Sequence, residues 1–262
     1  MSNGETHLDL ALDASEGSLL IVWMREGEVL VAQDWRLPHA STEVLAPTLA
    51  STAALLGQEP GRFGRIACVT GPGSFTGIRL ILTTAQALRR IRPVLLAALN
   101  GLQVLALCLA RRLAPTEPSR ICSVTHARKN LVHAQSFLFE GRGLPEPLGD
   151  IVLASPSEVV ERAPAGTLFC GSALAHYPEI FSQSSVGRAG GFFPDTQRID
   201  AESLAYAAGC AAYLDRDLEP LYVRSVDALD HLTRLAGRQG IEESSAWSSF
   251  ERLTQGSPQS LI

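Results

Sequence analysis

The sequence predicts an α/β protein built in two parts. Short apolar runs alternate with segments of helical periodicity. The run Ile66-Ala67-Cys68-Val69 passes through a glycine-rich turn into a segment where Ile78, Ile81, Leu82, Ala85 and Leu88 recur at helical spacing. A polar, proline-containing break over 111–119 is then followed by a fresh apolar strand, so the pattern restarts. A chain of 262 residues holds one large domain or two smaller ones, and 46% hydrophobic residues suffice for a core.

Residues 8–13 read as the first strand. Residues 18–24 and 29–35 follow as a meander around a turn at 25–28. Asp13 ends the first strand, and an Asp-x-Ser segment there caps its turn through its own backbone. An amphipathic helix spans 41–56. Val44, Leu45, Thr48, Leu49, Thr52, Leu55 and Leu56 form its apolar face, and Gly57 suits the position after its end. Pro47 belongs in its first turn or kinks it. His39 precedes it as a cap or a surface residue. The central strand, turn and helix reach residue 90, with Ser74 or Thr76 capping the helix. A strand at 93–97 and a helix at 101–112 complete the first half.

The second half opens with a strand at 121–125 and an alternating segment at 131–139, joined through His126-Ala127-Arg128. A loop at 141–149, a strand at 151–154, a short helix at 156–162 and a strand at 167–170 follow. Gly171-Ser172-Ala173 reads as a second glycine turn. Asp200 caps a helix over 201–214 that turns Leu204, Ala208 and Ala211 inward. Beyond 224, Leu229, Leu232 and Leu235 suggest one short helix and Trp247, Phe250 and Leu253 another, separated by a polar, serine-rich stretch.

The turn Gly71-Pro72-Gly73-Ser74-Phe75-Thr76-Gly77 is the most distinctive stretch. Glycine there admits positive φ and close approach to the backbone, and a strand-to-helix turn can hold an anion at the helix N-terminus. Its spacing matches no standard phosphate motif. Ile78-Arg79 stands where a P-loop needs Lys-Ser/Thr, three residues separate Gly73 from Gly77, and Pro72 and Thr76 occupy the glycine positions of a nucleophile elbow. Chemistry alone leaves a structural turn and a binding turn both open.

A net charge of −5 argues against a stand-alone nucleic-acid binder. The five cysteines form no C-x-x-C pair and mostly sit in apolar runs, which suits a reducing compartment. The six histidines form no H-x-x-x-H or H-E-x-x-H cluster, so no metal site is expected. No apolar run is long enough to span a membrane, and residues 1–5 lack the basic and apolar regions of a signal peptide.

Gly-Pro-Gly-Ser-Phe-Thr-Gly-Ile-Arg at 71–79 resembles the signature of the TsaB (YeaZ) family. Leu12-Asp13-Ala14-Ser15, His39-Ala40-Ser41-Thr42-Glu43 and Pro220-Leu221-Tyr222-Val223-Arg224 resemble further family elements, so the resemblance covers about 7–228. His126-Ala127-Arg128 departs from it, because histidine stands where the family has aspartate. The resemblance implies an actin/Hsp70/sugar-kinase-like two-lobed α/β fold. Residues 1–113 would form the N-terminal lobe and 120–226 a smaller second lobe, with the tail 227–262 outside the resemblance.

The resemblance also implies a cytoplasmic, non-catalytic subunit without a cofactor. It would stabilise a TsaD-like transferase that makes threonylcarbamoyladenosine in tRNA, alongside a TsaE-like ATPase. It would meet tRNA only through that complex and form homodimers when alone. The partner surface is expected on the helix pair 41–56 and 74–90, through Leu45, Leu49, Thr52, Leu56, Arg79, Thr83 and Gln86. The alternative is an active phosphotransferase or ATPase of the same superfold. Asp13, whose place in that superfamily faces the nucleotide phosphates, would then hold a hydrated metal. A peptidase finds no Ser-His-Asp or metal arrangement to support it.

Overall fold

Why the first 113 residues form one lobe is visible in a computed structural model, which describes residues 7–36, 41–59, 62–186, 190–221 and 223. The elements run β1 (Leu8–Asp13), β2 (Leu19–Arg25), β3 (Glu28–Trp35), α1 (Ser41–Leu55), β4 (Phe63–Gly71), α2 (Phe75–Ile91), β5 (Leu95–Asn100) and α3 (Gly101–Leu113). The strands order as β3-β2-β1-β4-β5. β1, β2 and β3 are antiparallel neighbours, while β4 runs parallel to β1 and β5 parallel to β4. Every residue of β1 is buried, as expected of a strand covered on both faces. Leu8, Leu10 and Leu12 pack with Leu45, Leu49, Ile78, Ile81 and Leu82 of α1 and α2. Ala11, Ala67 and Val69 point the other way, toward Val104 of α3 and Leu204.

The chain continues through β6 (Ser119–Arg128), β7 (Leu131–Phe139), β8 (Glu146–Pro147), β9 (Val152–Ala154), α4 (Pro156–Arg162), β10 (Leu168–Cys170), α5 (Ala173–His176), α6 (Pro178–Val186), β11 (Gly191–Phe193) and α7 (Ala201–Cys210). The second sheet orders as β11-β10-β6-β7-β8, with β9 also on β7. β6 takes the place of β1, with an antiparallel hairpin to β7 on one side and parallel β10 and β11 on the other. The two sheets therefore repeat one topology, although the sequence shows no internal repeat.

α3 joins them. All its residues from Gly101 to Ala110 except Gln103 are buried, and a helix that is apolar all round belongs between layers. Leu102, Leu105, Ala106 and Leu109 pack with Ile121, Phe137 and Phe139 of the second sheet, and Val104 packs with the first.

The C-terminal part of the described chain corrects the expected division at 120–226. α7 packs on β1, β2, β3 and β5. Leu96 and Leu214 exchange backbone hydrogen bonds, and the Leu221 N–H donates to Thr70 O at 2.8 Å. Residues 201–221 thus complete the first lobe, because the apolar face of Leu204, Ala205, Ala207 and Ala208 fits the back of its sheet. α7 ends at Cys210, four residues short of expectation, since the chain must leave helix to reach Leu96. By their contacts residues 1–223 form one unit. The expected helices after 224 and His39 lie outside the described residues.

Candidate functional site

The glycine turn is a clamp between α2 and the end of β1. Ser74 caps α2, its hydroxyl accepting from the Gly77 N–H at 3.3 Å. The Ser74 N–H donates to Ser15 O at 2.7 Å. A Cβ on Gly73 would stand 2.4 Å from Ser15 O, and one on Gly77 2.0 Å from Ala14 O, both rigid backbone atoms. Close approach therefore demands glycine at both positions. Phe75 is exposed beneath the Arg79 guanidinium, 3.7 Å from its ring centre. The second lobe repeats the device. Gly171, at φ +117, would place a Cβ 2.1 Å from Val124 O within β6.

A cleft of about 600 Å³ opens where β1 and β6 end. Ser15, Glu16 and Gly17 come from the β1–β2 turn, and Gly73, Ser74 and Phe75 from the start of α2. The second lobe adds His126, His133, Ser172 and His176, and the segment before α7 adds Gln197 and Arg198. Burial raises the Glu16 carboxyl to about 7, reinforced by the Asp13 charge and opposed by the Ser172 hydroxyl and Arg198. The His126 and His176 rings stack with centres 4.3 Å apart. Burial, then the His176 charge, lowers His126. Burial holds His133 down to about 4, helped by the His126 charge. The Ser172 hydroxyl accepts from the His126 N–H at 3.1 Å. The sequence signalled this second turn but neither Glu16, His133, His176 nor Arg198. Their convergence depends on two sheets meeting, which periodicity does not encode.

Asp13 is buried, and its Oδ1 accepts from the Ser15 N–H at 2.9 Å. Burial raises its carboxyl as well. Its side chain serves the turn, and the cleft is lined by the residues just after it.

The residues expected to meet a partner fall into three groups. Leu45, Leu49 and Thr52 are buried in the chain's own core at 1%, 7% and 4% exposure, and Thr52 Oγ1 accepts from Gln33 Nε2 at 3.1 Å. This corrects the expectation for those three. Leu56 is half-buried against the same core. Gln86 Nε2 donates to Leu218 O at 2.8 Å, tying down the C-terminal segment. Arg79 and Thr83 are exposed. The reason is that α1 is apolar on both faces: Ala46, Pro47, Ala50, Ala54 and Leu55 lie outward. Periodicity finds two stripes there and cannot rank them.

Two sheets of one topology, joined by a shared helix and closing on a cleft at their strand ends, define the actin-like ATPase and sugar-kinase fold. A family model described as TsaD, tRNA N6-adenosine threonylcarbamoyltransferase, matches residues 38–167. Two solved structures from Pseudomonas aeruginosa superpose with a TM-score of 0.69. One is YeaZ, 20% identical, and the other an uncharacterized protein with similarity to peptidase YeaZ, 21% identical; each match covers 83% of this chain and 100% of the other. A fainter likeness, TM-score 0.41 at 10% identity, covers 76% of this chain and 96% of a Bacteroides thetaiotaomicron protein with actin-like ATPase fold. No curated protein matches. The matched segment contains the signature turn, and the superposition shows that this chain shares the fold of the two YeaZ structures.

Proposed function

We propose that this chain is a non-catalytic partner subunit of the bacterial system that makes threonylcarbamoyladenosine in tRNA. It stabilises a TsaD-like transferase, works alongside a TsaE-like ATPase and reaches tRNA only through the complex. The matched TsaD-family segment and the fold shared with the YeaZ structures support membership in that system. The observation that carries the partner role is the two-faced α1. Its inner stripe fills the core, while Ala46, Ala50, Ala54 and Leu55, the last 86% exposed, form an outer stripe that this chain leaves uncovered among the described residues. Ile91, at 70% exposure, ends α2 with a further apolar side chain in solvent. Small residues at four-residue spacing let a second helix approach closely, and exposed apolar patches mark interaction surfaces. The TsaD-like subunit is the occupant, with a second copy of this chain taking its place when alone.

The phosphotransferase alternative needs Asp13 as a metal-holding carboxylate, and Asp13 is buried with its carboxyl raised by that burial, which disfavours the charged form. No helix among the described residues is long and apolar enough to cross a membrane, which is compatible with work in the cytoplasm. The test is co-purification of the tagged chain with the TsaD-like protein of the same genome. Ala50→Glu places an unmated charge in the proposed interface. It should abolish capture while the melting temperature stays within a few degrees of the parent. Undiminished capture by the well-folded variant would move the interface off α1.

A further inference from the structure

The cleft contains more chemistry than a partner-binding role uses. Thr125 on β6 and His133 on β7 are direct partners in the hairpin register. Residues opposite each other in an antiparallel pair project on the same face. Both have buried polar atoms without a hydrogen-bond partner, Thr125 Oγ1 and His133 Nδ1, and Thr125 is only 3% exposed. Leaving such groups unsatisfied costs stability, so a pair of them beside a cleft points to an occupant that would satisfy them.

The rest of the wall has a consistent character. Arg198 and the stacked His126–His176 pair supply present or potential positive charge. Ser74 and Phe75 at the start of the long helix α2 line the same space, and a helix N-terminus favours negative charge. The acid on the wall, Glu16, sits beside Ser172 and Arg198. His126 stands two residues before the end of β6. Hard divalent cations take oxygen ligands, and no group of three or more metal-binding side chains occurs among the described residues.

We propose that this cleft is a metal-independent site for a small oxyanion, a carboxylate or a tetrahedral phosphate-like group. Arg198, the His126–His176 pair and the start of α2 hold it, and His133 lines its wall with its buried hairpin partner Thr125 next to it. Arg198 supplies the fixed charge and a planar pair of donors suited to either oxyanion. Glu16 joins as a donor once protonated, since a neutral carboxylic acid carries one O–H. Binding is therefore coupled to proton uptake. Among the groups facing the ligand, Glu16, His126 and His133 each favour an anion more when protonated, and the Asp13 charge acts on Glu16. This proposal does not rest on the partner role, because the cleft and the outer face of α1 are separate surfaces.

Calorimetric titration of the purified full chain tests it, with sodium sulfate and sodium acetate as probes at about pH 6 and about pH 8. Both probes stay ionised across that range, so a pH effect reports the protein. Saturable one-to-one binding of either probe, about tenfold tighter at the lower pH and unchanged by magnesium or a chelator, is the expected result. Which probe binds decides between a tetrahedral and a planar oxyanion. Arg198 is exposed and so Arg198→Gln should fold normally, and it should weaken binding about tenfold or more. His176→Ala, also exposed, serves as the second variant and should weaken binding by removing one ring of the stacked pair. No saturable binding of either probe, binding indifferent to both variants, or binding only of a magnesium nucleotide would overturn the proposal.

Discussion

Gly77 shows how one residue is fixed by its surroundings. A methyl group there would lie 2.0 Å from the Ala14 carbonyl, and helix α2 would have to move off β1 to admit it. Overpacking of that kind costs about 1–3 kcal/mol or more, so Gly77→Ala should lower the melting temperature clearly. Gly57→Ala would enter open space and meet only the strain of positive φ. Thermal melts of the two variants side by side separate crowding from backbone strain. Glu16 and His133 act at the same scale with opposite signs. The raised Glu16 carboxyl contributes stability fully below its unfolded value near 4.5, and that is lost as pH rises through about 7. The depressed His133 contributes stability fully above its unfolded value near 6.5, and that is lost as pH falls toward about 4. Between those limits the slopes oppose and flatten the pH profile. Glu16→Gln should raise stability at pH 8, leave it nearly unchanged below pH 4.5, and expose the His133 slope between. Urea unfolding across that range measures all three.

At the scale of the element, α1 carries two apolar stripes with different duties. Leu49 lies in the core and Ala50 beside it in solvent. Leu49→Ala should cost about 2–5 kcal/mol as a buried truncation. Ala50→Ser should cost no more than about 0.5 kcal/mol, as expected of a surface change. Denaturant midpoints decide this, and equal losses would mean that the helix is rotated from the orientation described. α3 is the stronger case, since it is buried on every side. Its amides should be among the slowest to exchange with solvent, because opening them requires separating both sheets.

For the molecule as a whole, the shared α3 and the return of α7 to the first sheet couple the two lobes. The described part of residues 1–223 should therefore unfold in one cooperative transition. Leu109→Ala, on the face of α3 toward the second sheet, should shift that single transition down without splitting it. Two resolved calorimetric peaks in the parent would show that the lobes fold independently.

By itself the sequence determined the local order of this chain. Apolar runs and helical spacing marked β7 and α4 at their bounds and α1 to within a residue, because both features follow from periods of two and 3.6 that burial imposes. The seven residues of the signature turn were also legible, since glycine at fixed offsets records close backbone approach. Only the tertiary structure decided which stripe of α1 faces inward, because both are apolar and differ only in what lies next to them. It alone returned α7 to the first lobe, and it alone revealed the repeated topology, which is a property of strand pairing and leaves no trace in residue identity. The cleft residues Glu16, His133, His176 and Arg198 come from segments far apart in the chain. Nothing local distinguishes them until two sheets meet, and Glu16 and His133 then titrate away from their ordinary values because water has been removed around them.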